Sequence, residues 1–333
     1  MGLDDITSKP HERLQAALAD DMTAVNALIR ARMASEHAPR IPEVTAHLVE
    51  AGGKRIRPLI TLAAARLCGY AGDQHVKLAA TVEFIHTATL LHDDVVDESA
   101  QRRGRPTANL LWDNQSSVLV GDYLFARAFL LMVETGSLRV LDILSRAAAT
   151  IAEGEVLQLT AASNLATSET VYTQVIRGKT AALFEAASEV GGVVADVPEP
   201  QVRALASFGD ALGMAFQIVD DLLDWGGLTG EMGKNTGDDF RERKVTLPVI
   251  RAIAKADAQE HAFWERTIAK GQQDRGDLAH AMAILARHGT LEETRAEALR
   301  YAAKAKAAIE TLPEHPLRDM LRDLSDYVVA RIS

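Results

Sequence analysis

The pentapeptide Asp93-Asp94-Val95-Val96-Asp97 constrains this sequence more than any other feature, and its pattern returns at Asp220-Asp221-Leu222-Leu223-Asp224. Each copy follows a strongly apolar run, which predicts a position at the edge of a hydrophobic core. In a helix, the first and last aspartates of each copy lie one turn apart on one face, and the second lies about 100° around the axis. With 24 Asp in 333 residues, chance alone supplies roughly a tenth of one such pattern.

Carboxylates that point into one space cannot stay ionised and dry without a compensating cation. Oxygen ligands suit a hard divalent ion, and Mg²⁺ usually takes one or two carboxylates together with substrate phosphates. A solvated helix end is the alternative for a single copy, but two copies favour two aspartate clusters that face one cavity. The predicted metal ligands are Asp93, Asp94, Asp97, Asp220, Asp221 and Asp224.

Apolar residues recur at helical spacing from residues 11–35 onward, alanine is abundant, and the alternation typical of strands is scarce. We therefore predict an all-α fold. The chain is long and apolar enough, at 47% hydrophobic residues, for a large core. We expect one domain over residues 1–333, with residues 1–40 as a helical extension packed on it.

Charge and cysteine content restrict the partners and the compartment. The net charge of -10 argues against nucleic acid. A single cysteine, Cys68, fits a reducing compartment. The N-terminus lacks the order of a signal peptide, and no uninterrupted apolar run approaches the length of a membrane span. These features predict a soluble cytoplasmic protein without a transmembrane segment.

Basic residues accompany both aspartate clusters. Lys54, Arg55 and Arg57 surround the start of a predicted helix, where cations and backbone amides can bind an anion. Arg102-Arg103 follow the first cluster and can hold phosphate oxygens. The alternatives are a solvated basic turn and a plain salt-bridge network.

Two further segments carry cations. Gly178-Lys179-Thr180 resembles the end of a P-loop, but the earlier glycine and the preceding strand are missing, so nucleotide binding is excluded and Lys179 can instead hold a phosphate. The segment 226–245 contains five glycines with Lys234 and Lys244, which predicts a mobile lid that closes over a phosphate group. An ordinary exposed loop is the alternative.

Four segments, GGKRIRP, FIHTATLLHDDVVDESAQRRG, GKT and FQIVDDLLD, occur in this order. Together they resemble the trans-isoprenyl diphosphate synthases, most closely the long-chain, octaprenyl-like and decaprenyl-like members, over nearly the whole chain after about residue 40. The resemblance implies a barrel of helices around a deep central cavity and a homodimer. It also implies Mg²⁺-dependent, head-to-tail addition of isopentenyl diphosphate to an allylic diphosphate such as farnesyl or geranylgeranyl diphosphate.

The resemblance also assigns roles to individual residues. Two or three Mg²⁺ ions bridging the allylic diphosphate would be bound by Asp93, Asp97 and Asp220, with support from Asp94, Asp221 and Asp224. The same diphosphate would be held by Arg102, Lys179, Thr180, Gln217, Lys234 and Lys244. The isopentenyl diphosphate would be held by Lys54, Arg57, His86 and Arg103. The catalytic set would be Asp93, Asp94, Asp97, Lys179, Asp220 and Asp221.

The chemistry of such a site follows from its charges. Metal ions and cations neutralise the departing pyrophosphate, so the allylic C–O bond ionises, and the isopentenyl double bond attacks the resulting cation. A proton is then lost, and we hypothesise that the released pyrophosphate accepts it. Closure of the glycine-rich lid would keep water from the cation.

Product length is predicted from Ala88 and Thr89, which lie about 6 to 7.5 Å down the helix from Asp93. Both are small, whereas short-chain relatives carry bulky residues at this level, so the resemblance implies an octaprenyl to decaprenyl product. Such a product suits a ubiquinone side chain, by analogy only, and its release would involve peripheral contact with a membrane.

Three alternatives stay open. The first is a short-chain farnesyl or geranylgeranyl diphosphate synthase. The second is a metal-dependent phosphohydrolase that uses His92 and Asp93, although it leaves the second cluster unexplained. The third is a helical partner subunit with a vestigial site.

Overall fold

The computed structural model describes residues 9–35, 37–50, 53–102, 104–226 and 237–332. Within these ranges the chain is helical apart from one pair of two-residue strands, and the prediction of an all-α fold is confirmed. The first five helices are α1 Pro10–Ala17, α2 Ala19–Met33, α3 Arg40–Glu50, α4 Ile56–Leu67 and α5 Gln74–Val96.

The middle of the chain begins with the strands β1 Gln101–Arg102 and β2 Arg105–Pro106. Its helices are α6 Ala108–Leu111, α7 Asn114–Glu134, α8 Leu138–Ala161, α9 Glu169–Ile176, α10 Ala182–Val194 and α11 Glu199–Trp225. The C-terminal helices are α12 Asp238–Arg241, α13 Leu247–Lys255, α14 Ala258–Trp264, α15 Asp277–His288, α16 Thr290–Ile309 and α17 Pro316–Ala330. Two π-helical turns, Arg177–Ala181 and Glu265–Ala269, follow α9 and α14 directly.

Three local features interrupt the run of helices. The helical spacing over residues 11–35 predicts one helix, but it breaks at Leu18, whose backbone leaves the helical region with φ -116° and ψ 23° while its side chain is buried. Between α9 and α10 lies the π-helical turn Arg177–Ala181. After α5 the chain forms the short antiparallel β1–β2 hairpin, with Arg102 opposite Arg105. Gly104 has a φ of +73° there, which glycine adopts without strain.

The chain divides into two compact units. Unit 1 contains residues 1–148, 183–209 and 308–324, and unit 2 contains residues 149–182, 210–307 and 325–333. In unit 1, α5 packs against α2, α4 and α7. Its apolar residues Leu78, Val82, Ile85 and Leu91 are fully buried, so the helix that carries the first aspartate cluster is a core element. The expectation of a single domain stays a prediction.

The core of unit 2 contains an aromatic cluster beside the second set of aspartates. Trp225 packs edge-on against Phe240 with 6.0 Å between ring centroids, and Phe240 stacks on Phe263 at 6.5 Å. The Trp225 indole donates a hydrogen bond to the hydroxyl of Thr246 at 3.4 Å. Because Trp225 is fully buried, the cluster fixes the C-terminal end of α11.

Two of the described helices are long and apolar enough to cross a membrane by length and composition, namely α7 and α11. Of the apolar window in each, 39% is buried in α7 and 67% in α11. The criterion uses the mean hydropathy of a window, so it tolerates single charged residues. In α7 the residues Asp122 and Arg127 interrupt the apolar run. Core helices of water-soluble proteins meet the same criterion, so this finding is weak evidence for a membrane span.

Candidate active site

The first aspartate cluster lies at the C-terminal end of α5, and its members have different surroundings. Asp94 is fully buried, and its Oδ1 accepts hydrogen bonds from Nε and Nη2 of Arg102 at 2.9 and 2.8 Å. Burial raises the pKa of Asp94, and the Arg102 guanidinium opposes that shift. Asp93 and Asp97 are half-buried. The carboxylate of Asp94 therefore anchors the β1–β2 hairpin, and Asp93 and Asp97 are the better placed pair for a metal ion.

The carboxylates of the first cluster suit a hard divalent cation that completes its shell with other oxygens. Among the residues that the structure describes, no three His, Cys, Asp or Glu side chains gather closely enough to hold a metal ion. Asp93 and Asp97, one helical turn apart, offer carboxylate oxygens of the kind that Mg²⁺ prefers. Since Mg²⁺ usually takes only one or two carboxylates and completes its shell with water and phosphate oxygens, the residues present fit the predicted ion.

The basic turn before α4 brings part of the predicted isopentenyl diphosphate site together within unit 1. Arg57 Nη1 lies 3.2 Å from His86 Nε2, and the Arg57 guanidinium stacks over the ring of Phe184 at 4.5 Å. Lys54 is exposed at the same turn. A guanidinium positioned over an aromatic ring still has N–H groups that can bind phosphate oxygens.

The second cluster is built around Asp221, which is buried in unit 2. Tyr172 donates its hydroxyl to Asp221 Oδ2 at 2.7 Å, and Gln217 Nε2 donates to Oδ1 at 2.7 Å. Thr180 in turn donates its hydroxyl to Gln217 Oε1 at 2.6 Å. Burial raises the pKa of Asp221 to about 6, against the opposing hydrogen bonds from Tyr172 and Gln217. Both oxygens of Asp221 are thus engaged by protein donors, and this acid orients Gln217 and Thr180.

Asp224 has a different role at the end of α11. Its Oδ1 accepts the backbone N–H of Asp238 at 3.1 Å, and its Oδ2 accepts that of Asp239 at 3.0 Å. Its backbone carbonyl accepts the N–H of Gly237 at 2.9 Å. Asp224 therefore satisfies the first N–H groups of α12 and fixes the point where the chain returns from segment 227–236.

Asp220 is half-buried, and a cation from the C-terminal part of unit 2 lies beside it. Arg331 Nη2 is 4.0 Å from Asp220 Oδ1, and its guanidinium lies 5.9 Å from the ring centre of Phe216. In Asp221 and Asp224, by contrast, both carboxylate oxygens accept short hydrogen bonds from protein groups. Asp220 is therefore the strongest candidate for a metal ligand in this cluster.

Lys179 and Thr180 lie on the π-helical turn Arg177–Ala181. The backbone of this turn packs directly against the backbone of α8. A Cβ built on Gly154 would come within 2.7 Å of the Lys179 backbone nitrogen, and one on Gly178 within 2.7 Å of Gly154 Cα. Two glycines are therefore required at this crossing. Lys179 Nζ forms an ion pair with Glu155 at 3.1 Å. π-Helical turns are frequent at functional sites, and this one presents two predicted substrate-binding residues.

The structure describes both predicted chain-length residues and part of the predicted lid. Ala88 is fully buried in α5, and Thr89, which is half-buried, donates its hydroxyl to the His86 carbonyl at 2.8 Å. Lys244 forms an ion pair with Glu242 at 2.5 Å. Arg103 and Lys234 lie outside the described residues, as does the stretch 227–236 of the predicted lid.

Sequence reasoning missed Tyr172, Glu155 and Arg331. Tyr172 precedes Lys179 by seven residues, about two helical turns, which is the one signal that could have associated it with that residue. Glu155 and Arg331 are distant in sequence from the residues that they pair with, and only the folded chain brings them into contact.

Comparison with known proteins identifies the family of this chain. The polyprenyl synthetase family model matches residues 38–285. The chain belongs to the polyprenyl synthetase family. It is 44% identical to the octaprenyl diphosphate synthase of Escherichia coli over 320 residues, which cover 96% of this chain and 98% of that one. The prediction of a prenyltransferase is confirmed by this match.

Two solved structures are similar over almost their whole length. The decaprenyl diphosphate synthase of Rhodobacter capsulatus is 71% identical, with a TM-score of 0.95 and coverage of 97% of this chain and 99% of that chain. The polyprenyl synthase of Caulobacter crescentus, solved with calcium and isoprenyl diphosphate, is 52% identical, with a TM-score of 0.91 and coverage of 96% and 97%. These relatives confirm the predicted class of long-chain trans-polyprenyl synthase, and the family is metal-dependent.

Proposed function

We propose that this enzyme condenses isopentenyl diphosphate, head to tail, onto farnesyl or geranylgeranyl diphosphate and makes octaprenyl to decaprenyl diphosphate. The observation that carries the proposal is the similarity to octaprenyl and decaprenyl diphosphate synthases over 96–97% of the chain. Such a product is what the attachment of a quinone side chain requires, although this pathway is an analogy with the relatives.

The metal ions are proposed to be two or three Mg²⁺ held by Asp93, Asp97 and Asp220. This choice is supported by the half-buried positions of Asp93, Asp97 and Asp220, whereas Asp94 and Asp221 are buried and Asp224 caps α12. Bound Mg²⁺ would neutralise the charge that develops on the departing pyrophosphate.

The protein's own cations and hydroxyls would hold the two substrates. Lys179, Thr180 and Gln217 are proposed to bind the allylic diphosphate, because the hydrogen bonds from Thr180 to Gln217 and from Gln217 to Asp221 fix their side chains in advance. Arg102 is proposed to contact the same group from its position beside Asp94. Lys234 and Lys244 are added from the sequence resemblance.

Isopentenyl diphosphate is proposed to bind at Lys54, Arg57 and His86, with Arg103 added from the sequence. The support is local, since Arg57 and His86 lie within 3.2 Å of each other and Lys54 belongs to the turn that precedes Arg57. These groups would replace the water around the diphosphate oxygens with fixed hydrogen-bond donors. The double bond of isopentenyl diphosphate would then be presented in one orientation.

The growing chain is proposed to pass Ala88 and Thr89. Ala88 is fully buried and adds only a methyl group to the interior at this level. A short side chain removes the steric stop that a bulky residue would provide, which supports a long product.

A homodimer is proposed from the surface of α7. Its side chains Val118, Leu119, Phe129, Leu130 and Val133 are 39 to 66% exposed. At about 100° per residue they all fall within an arc of about 120° of the helix, so they form one apolar stripe. Light scattering on the purified enzyme should give twice the chain mass, and charged substitutions at Leu119 and Val133 should give monomers. An unmodified enzyme that is monomeric at micromolar concentration would contradict the interface. We propose a cytoplasmic location and peripheral membrane contact for product release.

The test of the activity is consumption of isopentenyl diphosphate with each allylic primer, with products identified by mass spectrometry. We expect pyrophosphate release only when both substrates and Mg²⁺ are present. Asp93→Asn and Asp220→Asn should lower the rate by at least about a hundredfold and weaken Mg²⁺ binding measured by calorimetry in the presence of pyrophosphate.

Two outcomes would favour the alternatives. Products that stop at farnesyl or geranylgeranyl diphosphate would indicate a short-chain synthase. Phosphate release without isopentenyl diphosphate would indicate a phosphohydrolase. The Nε2 of His92 lies 3.1 Å from the Val118 carbonyl and donates to it, so in that case Nδ1 would be the nitrogen that binds the metal. Lack of activity of the purified chain alone would indicate a partner subunit.

A further inference from the structure

Arg55 and Glu83 form a shielded ion pair that no step of the proposed chemistry uses. The Arg55 guanidinium contacts the Glu83 carboxylate, and their side chains are only 15% and 11% exposed. Buried carboxylates are rare unless a partner offsets their charge. This pair links the turn before α4 to the middle of α5, and both elements belong to unit 1.

The backbone at Arg55 gives the pair a structural task. Arg55 has φ 48° and ψ 33°, the left-handed conformation, which residues with a Cβ atom rarely adopt. Its carbonyl accepts the N–H of Leu59 at 3.0 Å and so begins α4. A strained residue at a helix start persists only if its surroundings hold it there, and the contact of its guanidinium with Glu83 supplies such a restraint.

The same turn carries the proposed isopentenyl diphosphate ligands on both sides of Arg55. Lys54 precedes it, and Arg57 follows it by two residues. On α5, Glu83 precedes His86 by three residues, and His86 is the neighbour of Arg57 at 3.2 Å. The turn and the first residues of α4 are therefore joined to α5 at two points, Arg55 with Glu83 and Arg57 with His86.

The charge balance supports this interpretation. A carboxylate close to an anion site would oppose substrate binding if its charge were not compensated. Because Arg55 compensates the charge of Glu83, this carboxylate does not offset the attraction of Lys54 and Arg57 for a diphosphate. Replacing Arg55 alone would leave a buried carboxylate beside the site, and replacing Glu83 alone would leave the turn without its anchor.

We propose that the Arg55–Glu83 pair is a positioning device that holds Lys54 and Arg57 in place for the diphosphate of isopentenyl diphosphate. The proposal rests on the proposed function. Neither residue is expected to touch the substrate. Their effect should therefore concern one substrate selectively, because the pair restrains the turn at Lys54 and the start of α4, whereas Asp93 lies about 15 Å further along α5 from Glu83.

The test is steady-state kinetics of Glu83→Gln with each substrate varied in turn, together with calorimetry of isopentenyl diphosphate binding. We expect the KM for isopentenyl diphosphate to rise at least about fivefold, while the KM for the allylic primer changes less than about twofold. Arg55→Gln should give a similar change. The double variant should resemble the single variants, because the two residues act as one unit.

Asp21→Asn is the matched control, since it removes the shielded Asp21–Arg66 pair of the same unit, in which Arg66 donates two hydrogen bonds at 2.8 and 2.6 Å. Its stability should fall while both KM values stay at wild-type values. Equal rises of both KM values in Glu83→Gln and Arg55→Gln, or no rise for isopentenyl diphosphate in folded variants, would refute the positioning role. Failure of the unmodified enzyme to consume isopentenyl diphosphate would instead refute the proposed function. Isopentenyl diphosphate would then also be excluded as the ligand of Lys54 and Arg57.

Discussion

The close crossing of α8 over the π-helical turn Arg177–Ala181 makes Gly154→Ala an informative substitution. The added Cβ would lie 2.7 Å from the Lys179 nitrogen and 2.8 Å from Gly178 Cα, and both are backbone atoms that cannot rotate away. Ordinary van der Waals contact begins at 3.4 Å, so the two elements must separate by about 0.7 Å. That movement would carry Lys179 and Thr180 with it.

Two effects on stability oppose each other. Alanine in a helix interior is favoured over glycine by roughly 0.5–1 kcal/mol, whereas overpacking a close interface costs roughly 1–3 kcal/mol. The second effect is larger here because the contacts are with backbone. We therefore expect Gly154→Ala to lower the free energy of unfolding by about 1–2 kcal/mol.

The loss of activity should be larger than the loss of stability. Misplacement of a binding group by about 1 Å can cost a factor of about a hundred, so kcat/KM for the allylic primer should fall by about ten- to a hundredfold. Chemical unfolding and steady-state kinetics measure the two effects. Gly276→Ala is the control, because a Cβ added at that glycine would meet nothing within 4 Å. A Gly154→Ala enzyme with unchanged stability and kinetics would show that the close crossing does not position Lys179.

Three further substitutions test other parts of the site. Ala88→Phe should shorten the products to a few isoprene units, and an unchanged product length by chromatography would contradict the path past Ala88. Tyr172→Phe removes the hydroxyl that donates to Asp221 at 2.7 Å. The free energy of unfolding should fall by about 1–3 kcal/mol, and the KM for the allylic primer should rise. Wild-type values for both would show that this hydrogen bond is dispensable. The pKa of Asp221 is raised from 3.8 to about 6, so the metal-free folded state binds this proton more tightly than the unfolded state. Wild-type stability should therefore fall by roughly 2 kcal/mol relative to Asp221→Asn as the pH rises from 4 to 6, whereas parallel stability curves would contradict the shift.

Periodicity in the sequence is sufficient to predict the two helices that carry the aspartates. The apolar run before Asp93 predicts a core helix, and α5 extends to Val96 with its apolar side buried. The second cluster is likewise predicted on a helix, which is α11. These features depend on residues within a few turns of each other, and such local patterns are the ones that a sequence encodes directly.

The partners of the buried groups could not be predicted in this way. Tyr172 meets Asp221 across 49 positions of sequence, and Asp224 caps a helix that begins fourteen residues later. The π-helical turn is a further example, because nothing in Arg177–Ala181 distinguishes it from an ordinary helical segment until Gly154 is packed against it. These contacts depend on tertiary packing, which overrides local preference.

Helix geometry explains why the second aspartate of each cluster needs an internal partner. If the first and fifth positions face a ligand, the second lies about 100° around the axis and turns towards the core. Asp94 and Asp221 are the buried members of their clusters, and each is bonded to protein donors, Arg102 in one case and Tyr172 with Gln217 in the other. The helical spacing alone separates the positions suited to a metal ion from those that organise the surrounding side chains, but the identity of each partner is decided by the fold.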